Sequence, residues 1–480
     1  VRLTKALRRD PTDGLSWYFQ GVCHLKLGSV RDALRCAQRA ARCREPAPLG
    51  HDLAGRAYMR LNQYSRAVDA FAEAVRRNPA DTKAQDHLLL ALYASGSAAT
   101  ARERARAYIA KRPTDLVPRA ILALQNTSAM DRFVDDVRGF VGAMDFQMIE
   151  TSLVFAEVRL ISEAAHLLSA VCVEAQPSAE RSPLPIYYLA WFAALRGDED
   201  GARANLTQAG ALYKDFVFAS RPDAIDVLKY AARIQPDDAY AHFHLGNVYG
   251  GLGRLDEAVA QWEKAAELDP SLSIAFRNLG LYSQVIERDR AKAAQLYRKA
   301  IVARPEDQTL YRDLANILAA EGRHDAAIEL LQSIPSALRR RADVVLTLAQ
   351  LYVDTERFTA AIELLQATPY FVNWEGDSLP WVLFNRAHVG RGGQRLRSNK
   401  FEAALRDFEA ALTYPENLGV GRSNEHEHAA AHYWRGKTLA ALGRPEDARS
   451  AWRTGAAEPE GSEQQNRYRE MCRAALSGKP

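Results

Sequence analysis

The sequence runs to 480 residues, too long for one ordinary core, and its 48% hydrophobic and 25% charged residues exclude bulk disorder. Its 63 basic and 59 acidic side chains leave a net charge of +4, which gives no electrostatic case for binding nucleic acid. No apolar run approaches the ~18 residues a membrane helix needs, and Val1–Thr12 has neither the apolar stretch nor the cleavage site of a signal peptide.

In chain order, the first regular feature is a 34-residue period. Unit starts at Gly14, Pro48 and Thr82 place Ala33, Ala67 and Ala101 at position 20, with Pro79 and Pro113 at position 32. Leu116–Met144 is short and degenerate. Asp145 opens a unit marked by Ala164 and Leu168, and Pro183 opens one with Leu189, Ala190, Gly197, Ala202 and Ala209. Arg221–Asp237 reads as the second helix of a pair (Ala224, Leu228, Ala231, ending at Pro236). A Phe-containing segment precedes it in place of a normal first helix.

The clearest unit begins at Ala239. Leu245, Gly246 and Tyr249 fall at positions 7, 8 and 11, Gly253 at 15, Ala258 at 20, Trp262 at 24, Ala265 at 27 and Pro270 at 32. Small residues at 8, 20 and 27 let the two helices of a pair, A and B, approach closely. Leu245, Tyr249 and Trp262 fill the seams, Gly253 permits a tight turn, Asp256 is placed to cap helix B, and Pro270 ends it. This pattern closely resembles the tetratricopeptide repeat.

Later starts at Ser273, Gln308 and Ala342 keep the register, with one extra residue expected in the turn before Ala293. Ser378 opens a unit in which Gly390–Lys400 is expected as an inserted basic, glycine-containing loop. Ala429 opens a last unit carrying Gly436, Gly443, Ala448 and Trp452, followed by a helix near Gln464–Leu476. The expected fold is an all-α, right-handed solenoid of about a dozen helical pairs. It divides into N-terminal units (1–115), degenerate units (116–238), regular units (239–376) and C-terminal units (377–480). Extended backwards, the register puts Pro11 at position 32, Ala6 at 27 and Leu3 at 24, so Val1 falls inside a helix B whose helix A would lie upstream. That reading expects a longer parent protein or a misplaced start.

A narrower resemblance rests on three segments. They are Asp215-Phe-Val-Phe-Ala-Ser-Arg-Pro222, Asn373-Trp-Glu-Gly376, and Tyr414-Pro-Glu-Asn-Leu-Gly-Val-Gly421 with His432-Tyr-Trp434. Together they resemble the C-terminal repeat region of large bacterial proteins that carry an N-terminal galactose-mutarotase-like β-sandwich of unassigned function. The resemblance covers Pro183 to Pro459 and implies a carbohydrate-directed parent whose sandwich is not visible in this sequence.

Candidate chemistry is sparse. The five cysteines (Cys23, Cys36, Cys43, Cys172, Cys472) show no metal spacing and read as small apolar residues with reduced thiols in a cytoplasm. In Glu425-His-Glu-His428-Ala-Ala-Ala-His432 two histidines are four apart, but no third ligand is fixed, so the segment reads as a polar entry to helix A with His432 beside Trp434. Gly390-Arg-Gly-Gly-Gln-Arg-Leu-Arg397 lacks the ending of a phosphate-binding loop, and Arg339–Arg341 reads as a solvated charge run. No cofactor or metal is expected.

That leaves the surface lined by helix A through positions 2, 5, 9 and 12. The candidates are Tyr240, Phe243 and Asn247; then Arg277 and Gln284, beside Ile274 and Leu281; then Arg312 and Asn316, beside Thr309. Arginines and amides near apolar surface suit an extended acidic peptide. Phe243 and Leu281 stand where the family's carboxylate clamp has polar residues. The sequence therefore points to a non-catalytic protein–protein or domain–domain scaffold with a protein or peptide partner, without nucleic acid or membrane. The alternatives are an auxiliary region of a carbohydrate-active protein and a metal- or phosphate-dependent enzyme.

Overall fold

The computed structural model describes residues 2–43, 47–140, 144–174, 176, 181–212, 217–335, 341–369, 371, 378–418 and 427–478. These residues form helices joined by short turns and fall into two compact units, Val1–Leu268 and Asp269–Pro480.

The first unit opens with α1 (Arg2–Arg9), on which Leu7 is buried. Antiparallel pairs follow: α2 (Gly14–Lys26) with α3 (Val30–Arg42), α4 (Ala47–Arg60) with α5 (Tyr64–Arg77), and α6 (Thr82–Ala94) with α7 (Ala98–Ile109). Next come α8 (Leu116–Ala123) with α9 (Thr127–Phe140), α10 (Met144–Glu157) with α11 (Ile161–Ser169), and α12 (Pro183–Leu195) with α13 (Glu199–Gly210). The single α14 (Ala224–Ile234) precedes α15 (Ala239–Gly251) and α16 (Leu255–Leu268).

The second unit pairs α17 (Ser273–Tyr282) with α18 (Arg290–Ala303), α19 (Gln308–Ala320) with α20 (His324–Ser333), and α21 (Ala342–Asp354) with α22 (Phe358–Ala367). Then α23 (Leu379–Arg397) pairs with α24 (Phe401–Ala410) and α25 (His428–Ala441) with α26 (Pro445–Ala457), and α27 (Glu463–Leu476) closes it. The expected dozen pairs and terminal helix are present.

The local causes repeat with the period. Proline ends helix B, and two residues later an aspartate starts the next helix A. Asp13, Asp81, Asp238 and Asp307 each accept a hydrogen bond from a backbone N–H of the first turn. Between A and B of six pairs a glycine takes a left-handed conformation (Gly28, Gly96, Gly197, Gly253, Gly322 and Gly443, φ from 72 to 84°), and in five more Asn62, Arg159, Arg288, Glu356 or Asn399 does so. The position-20 alanines Ala33, Ala67, Ala101, Ala202, Ala258, Ala293, Ala327, Ala361 and Ala448 are all fully buried. A Cβ added at Gly246 would come within 2.6 Å of Trp262 Cδ1, so position 8 of that unit must be glycine.

Three expectations need correction. The basic segment Gly390–Lys400 is not an inserted loop: most of it is the end of the 19-residue α23, and the turn is confined to Ser398–Lys400. Two of its three glycines face aromatic rings, Gly390 against Phe358 and Gly392 against Phe408, so they mark close helix contact. The extra residue before Ala293 is absorbed by a π-helical turn, Ser283–Glu287, that widens the end of α17 ahead of the left-handed Arg288. Asp256 lies inside the first turn of α16 with Glu257 and favours the helix through its dipole rather than as a cap residue.

Candidate functional site

Six of the seven candidate residues lie on A helices and Gln284 lies in the π-turn after α17; three are in the first unit and four in the second. On α15, Tyr240 is half-buried and Phe243 is only 4% exposed. Phe218, from the extended segment that replaces a helix A before α14, packs edge-on against Phe243 with ring centroids 6.4 Å apart. Tyr188 donates to Asp223 at 2.5 Å and Arg221 donates to the same carboxylate at 2.9 Å, which ties this segment to α12. Asn247 Oδ1 accepts from Trp262 Nε1 at 2.9 Å, so this side chain braces its own repeat.

In the second unit the arginines join a chain of alternating charge. Arg277 Nε lies 3.8 Å from Asp313 Oδ2, and Arg312 donates to Asp313 at 2.5 Å and also to Asp343. Arg341 Nε lies 3.1 Å from Asp343 Oδ1. Burial pushes the Asp343 carboxyl up, but Arg341 and Arg312 outweigh it and hold the group below its usual value. The ladder thus spans α17, α19 and α21. Asn316 is exposed, and Gln284 is half-buried in the π-turn. Beside them Leu281, Val285 and Ile286 are 45%, 57% and 51% exposed.

Sequence reasoning missed both acids of the ladder. Asp313 follows Arg312 directly, and Asp343 occupies position 2 of the next repeat, so the signals lie beside Arg312 and one period further on.

The other candidates are built into the core. His428 and His432 are buried, with Glu458 3.8 Å from His428 Nδ1 and 3.7 Å from His432 Nε2. Tyr414 Oη meets His428 Nε2 at 2.5 Å, and the Trp381 ring lies 4.7 Å from that imidazole. Among the described residues no three His, Cys, Asp or Glu side chains are arranged to hold a metal. Burial pushes the Cys472 thiol up to about 12, so it is no nucleophile near neutrality. In the former loop candidate, Arg391 and Arg395 reach the buried Asp407 at 2.7 and 2.8 Å instead of facing a phosphate. Residues 339–340, 373–376, 215–216, 419–421 and 425–426 lie outside the described residues.

Tetratricopeptide repeat family models match residues 239–272, 285–342, and 53–115 with 394–462. Tetratricopeptide repeat protein 37 of Xenopus laevis is 28% identical over 206 residues, 40% of this chain and 12% of that protein. Protein O-mannosyl-transferase TMTC3 of Mus musculus is 28% identical over 181 residues, 35% of this chain and 19% of that protein. The chain therefore spans a small part of either relative. A crystal structure of a tetratricopeptide repeat protein from Parabacteroides merdae aligns at 16% identity and a TM-score of 0.29, covering 61% of this chain and 98% of that one. With its helix pairs, its recurring left-handed turn and these matched segments, the chain is an all-α protein of tetratricopeptide-repeat fold.

Proposed function

We propose that this chain is a non-catalytic scaffold that holds a protein or peptide partner on the A-helix face of its second unit. The observation that carries the reading is the exposed apolar group Leu281, Val285 and Ile286 at the end of α17, beside the Arg277–Asp313–Arg312–Asp343 ladder. Positions 281 and 285 share one helical face, and apolar surface rimmed by ordered polar groups is the composition of a partner contact. The ladder keeps Arg277 and Arg312 in place while leaving part of their donor capacity toward solvent, which suits hydrogen bonds to an extended backbone. The candidate histidines and the Asp407 carboxylate serve the core, which supports a binding role over a catalytic one. We assign no transferase chemistry from the mannosyltransferase likeness, which covers 19% of that protein. The free thiols fit a reducing compartment and support a cytoplasmic location within this reading.

The test is selection of a displayed peptide library on the full chain, with selected peptides titrated against the L281D/V285D variant. Loss of affinity by about tenfold or more, with unchanged circular dichroism, supports the site. Equal affinity for both proteins places the partner elsewhere.

A further inference from the structure

A second surface lies in the first unit, on the side formed by B helices. Both α5 and α7 pack on α6, and between them is a cleft of about 440 Å³. Its floor is Leu88 and Leu89, each under 7% exposed, with Val75 and Pro79 at the α5 edge. The opposite wall is a stripe of α7 and its continuation: Arg104, Tyr108 and Arg112 stand at i, i+4 and i+8, with Lys111 beside them.

The cations on this wall are not held in ion pairs. Arg104, Lys111 and Arg112 are exposed, and none has a carboxylate within ion-pair distance among the described residues. The nearby Arg76 and Arg77 of α5, by contrast, are both held 2.6 Å from Glu73. From Arg102 to Arg112 the chain carries five cations against Glu103. Two acids lie near: burial pushes Asp86 of α6 up to about 7, so it bears only part of a charge near neutrality, and Asp115, three residues past Arg112, makes no ion pair with these cations among the described residues. The Arg112 guanidinium lies 5.7 Å from the Tyr108 ring centroid, which orders these two side chains on the same wall.

We propose that this B-helix cleft is a docking site for an acidic peptide segment with an apolar anchor. Arg104 lies on α7 and Arg112 just past its end, eight residues on, a span of roughly 12 Å at helical rise. An extended peptide covers that distance in about four residues. Two or three carboxylates in such a stretch meet the three cations while one apolar side chain enters the space above Leu88 and Leu89. The single ring and aliphatic floor favour peptide over nucleic acid, which uses successive aromatic platforms and a longer cationic track. The site is separate from the α17 surface and stands independently of it.

The experiment is fluorescence anisotropy on the full chain. The probes are a fluorescein-labelled peptide of six acidic residues around a central Phe, the same peptide with Gln for every acid, and a labelled oligothymidylate of equal length. The expected result is salt-dependent binding of the acidic peptide, weaker by about tenfold or more for the Gln peptide and for the R104E/R112E variant. These side chains are exposed, so the variant should keep its helical signal; K111E alone provides a milder second variant with a smaller loss in the same direction. The L281D/V285D variant should bind the acidic peptide as the parent does. Absence of binding, equal binding by the charge-reversed variants, or tighter binding of the oligothymidylate would overturn the proposal.

Discussion

His87 Nδ1 lies 2.6 Å from Asp52 Oδ1, and neither side chain is open to solvent. On the other side of the ring, Nε2 is 3.4 Å from Glu157 Oε2, so one imidazole links α6 to both α4 and α10. Burial by itself would lower the proton affinity of His87. The Asp52 charge and hydrogen bond, with Glu157, outweigh that and raise its pKa to about 8. His244 has the opposite setting. It is 3% exposed, edge-on to Tyr187, and burial lowers its pKa to about 4.

These two histidines act on stability in opposite pH ranges. The His87 contribution is complete below the unfolded value of 6.5 and is lost as pH rises through about 8. The His244 contribution is complete above 6.5 and is lost as pH falls toward about 4. The two histidine contributions together are therefore greatest near pH 6.5, with an alkaline loss on the order of 2 kcal/mol from His87, while the buried Asp86 adds its own loss as pH rises toward about 7. Urea unfolding across this range should show H87Q flattening the alkaline limb and H244F flattening the acid limb. A parent profile flat from 6.5 to 8, or H87Q retaining the full alkaline slope, would refute the assignment.

The left-handed turn position offers a second test. Glycine occupies it in many pairs, but Arg288 (φ 58°) and Glu356 (φ 55°) hold the same conformation with a side chain present. An L-residue pays about 1–2 kcal/mol there, partly offset by the chain entropy that glycine loses on folding. E356G should thus raise stability by a few tenths to about 1 kcal/mol, because Glu356 is exposed and its side chain makes no hydrogen bond or ion pair among the described residues. G253V should lower stability by about 1–2 kcal/mol at a turn with open space around it. Melting both variants decides it; E356G less stable than the parent would contradict the strain.

Why the fold was legible while the site was only half so follows from where each signal lies. Ala258, Gly253 and Pro270 act within one repeat, so their spacing carries their meaning. Gly390 and Gly392 misled because glycine marks both loops and close contacts, and the Phe358 and Phe408 rings that decide between them lie outside the segment. Arg277 and Arg312 were placed correctly on A helices, but the partner of a surface arginine comes from the next repeat. Phe243 is hidden by Phe218, a residue of the irregular segment before α14.

Ala258 and Ala327 are both fully buried between paired helices. A258E or A327E would place a carboxylate there without a partner, and each should cost about 3 kcal/mol or more. Urea midpoints measure this; a loss below about 1 kcal/mol at both sites would mean the helices separate there without penalty.

Asp407 is 2% exposed and gathers His388 at 3.3 Å, Arg391 at 2.7 Å and Arg395 at 2.8 Å. Burial opposes its ionisation, and these three groups reverse that and lower its pKa. R391A/R395A removes two of them and should destabilise by about 3 kcal/mol, since a buried charge is left with one weak partner. Adding D407N to that variant should recover part of the loss. Recovery would establish that α23 carries its arginines for the core, whereas a double variant as stable as the parent would return them to solvent.

The ladder of the second unit predicts coupling between neighbouring repeats. Arg312, 26% exposed at its side chain, touches Asp313 in its own helix and Asp343 in the next A helix. Partly exposed pairs of this kind contribute about 0.5–1 kcal/mol, and less as salt rises. In a double-mutant cycle, R312A and D343A should each destabilise slightly, and the pair should cost less than the sum by about 0.5–1 kcal/mol. The coupling should shrink in high salt because both groups reach solvent. If it is absent at low salt, Arg312 is not bound to Asp343 in solution, and its donors are then fully available to a partner. If it is present and selected peptides bind R312A about as well as the parent, the ladder serves repeat stacking and Leu281, Val285 and Ile286 carry the contact by themselves.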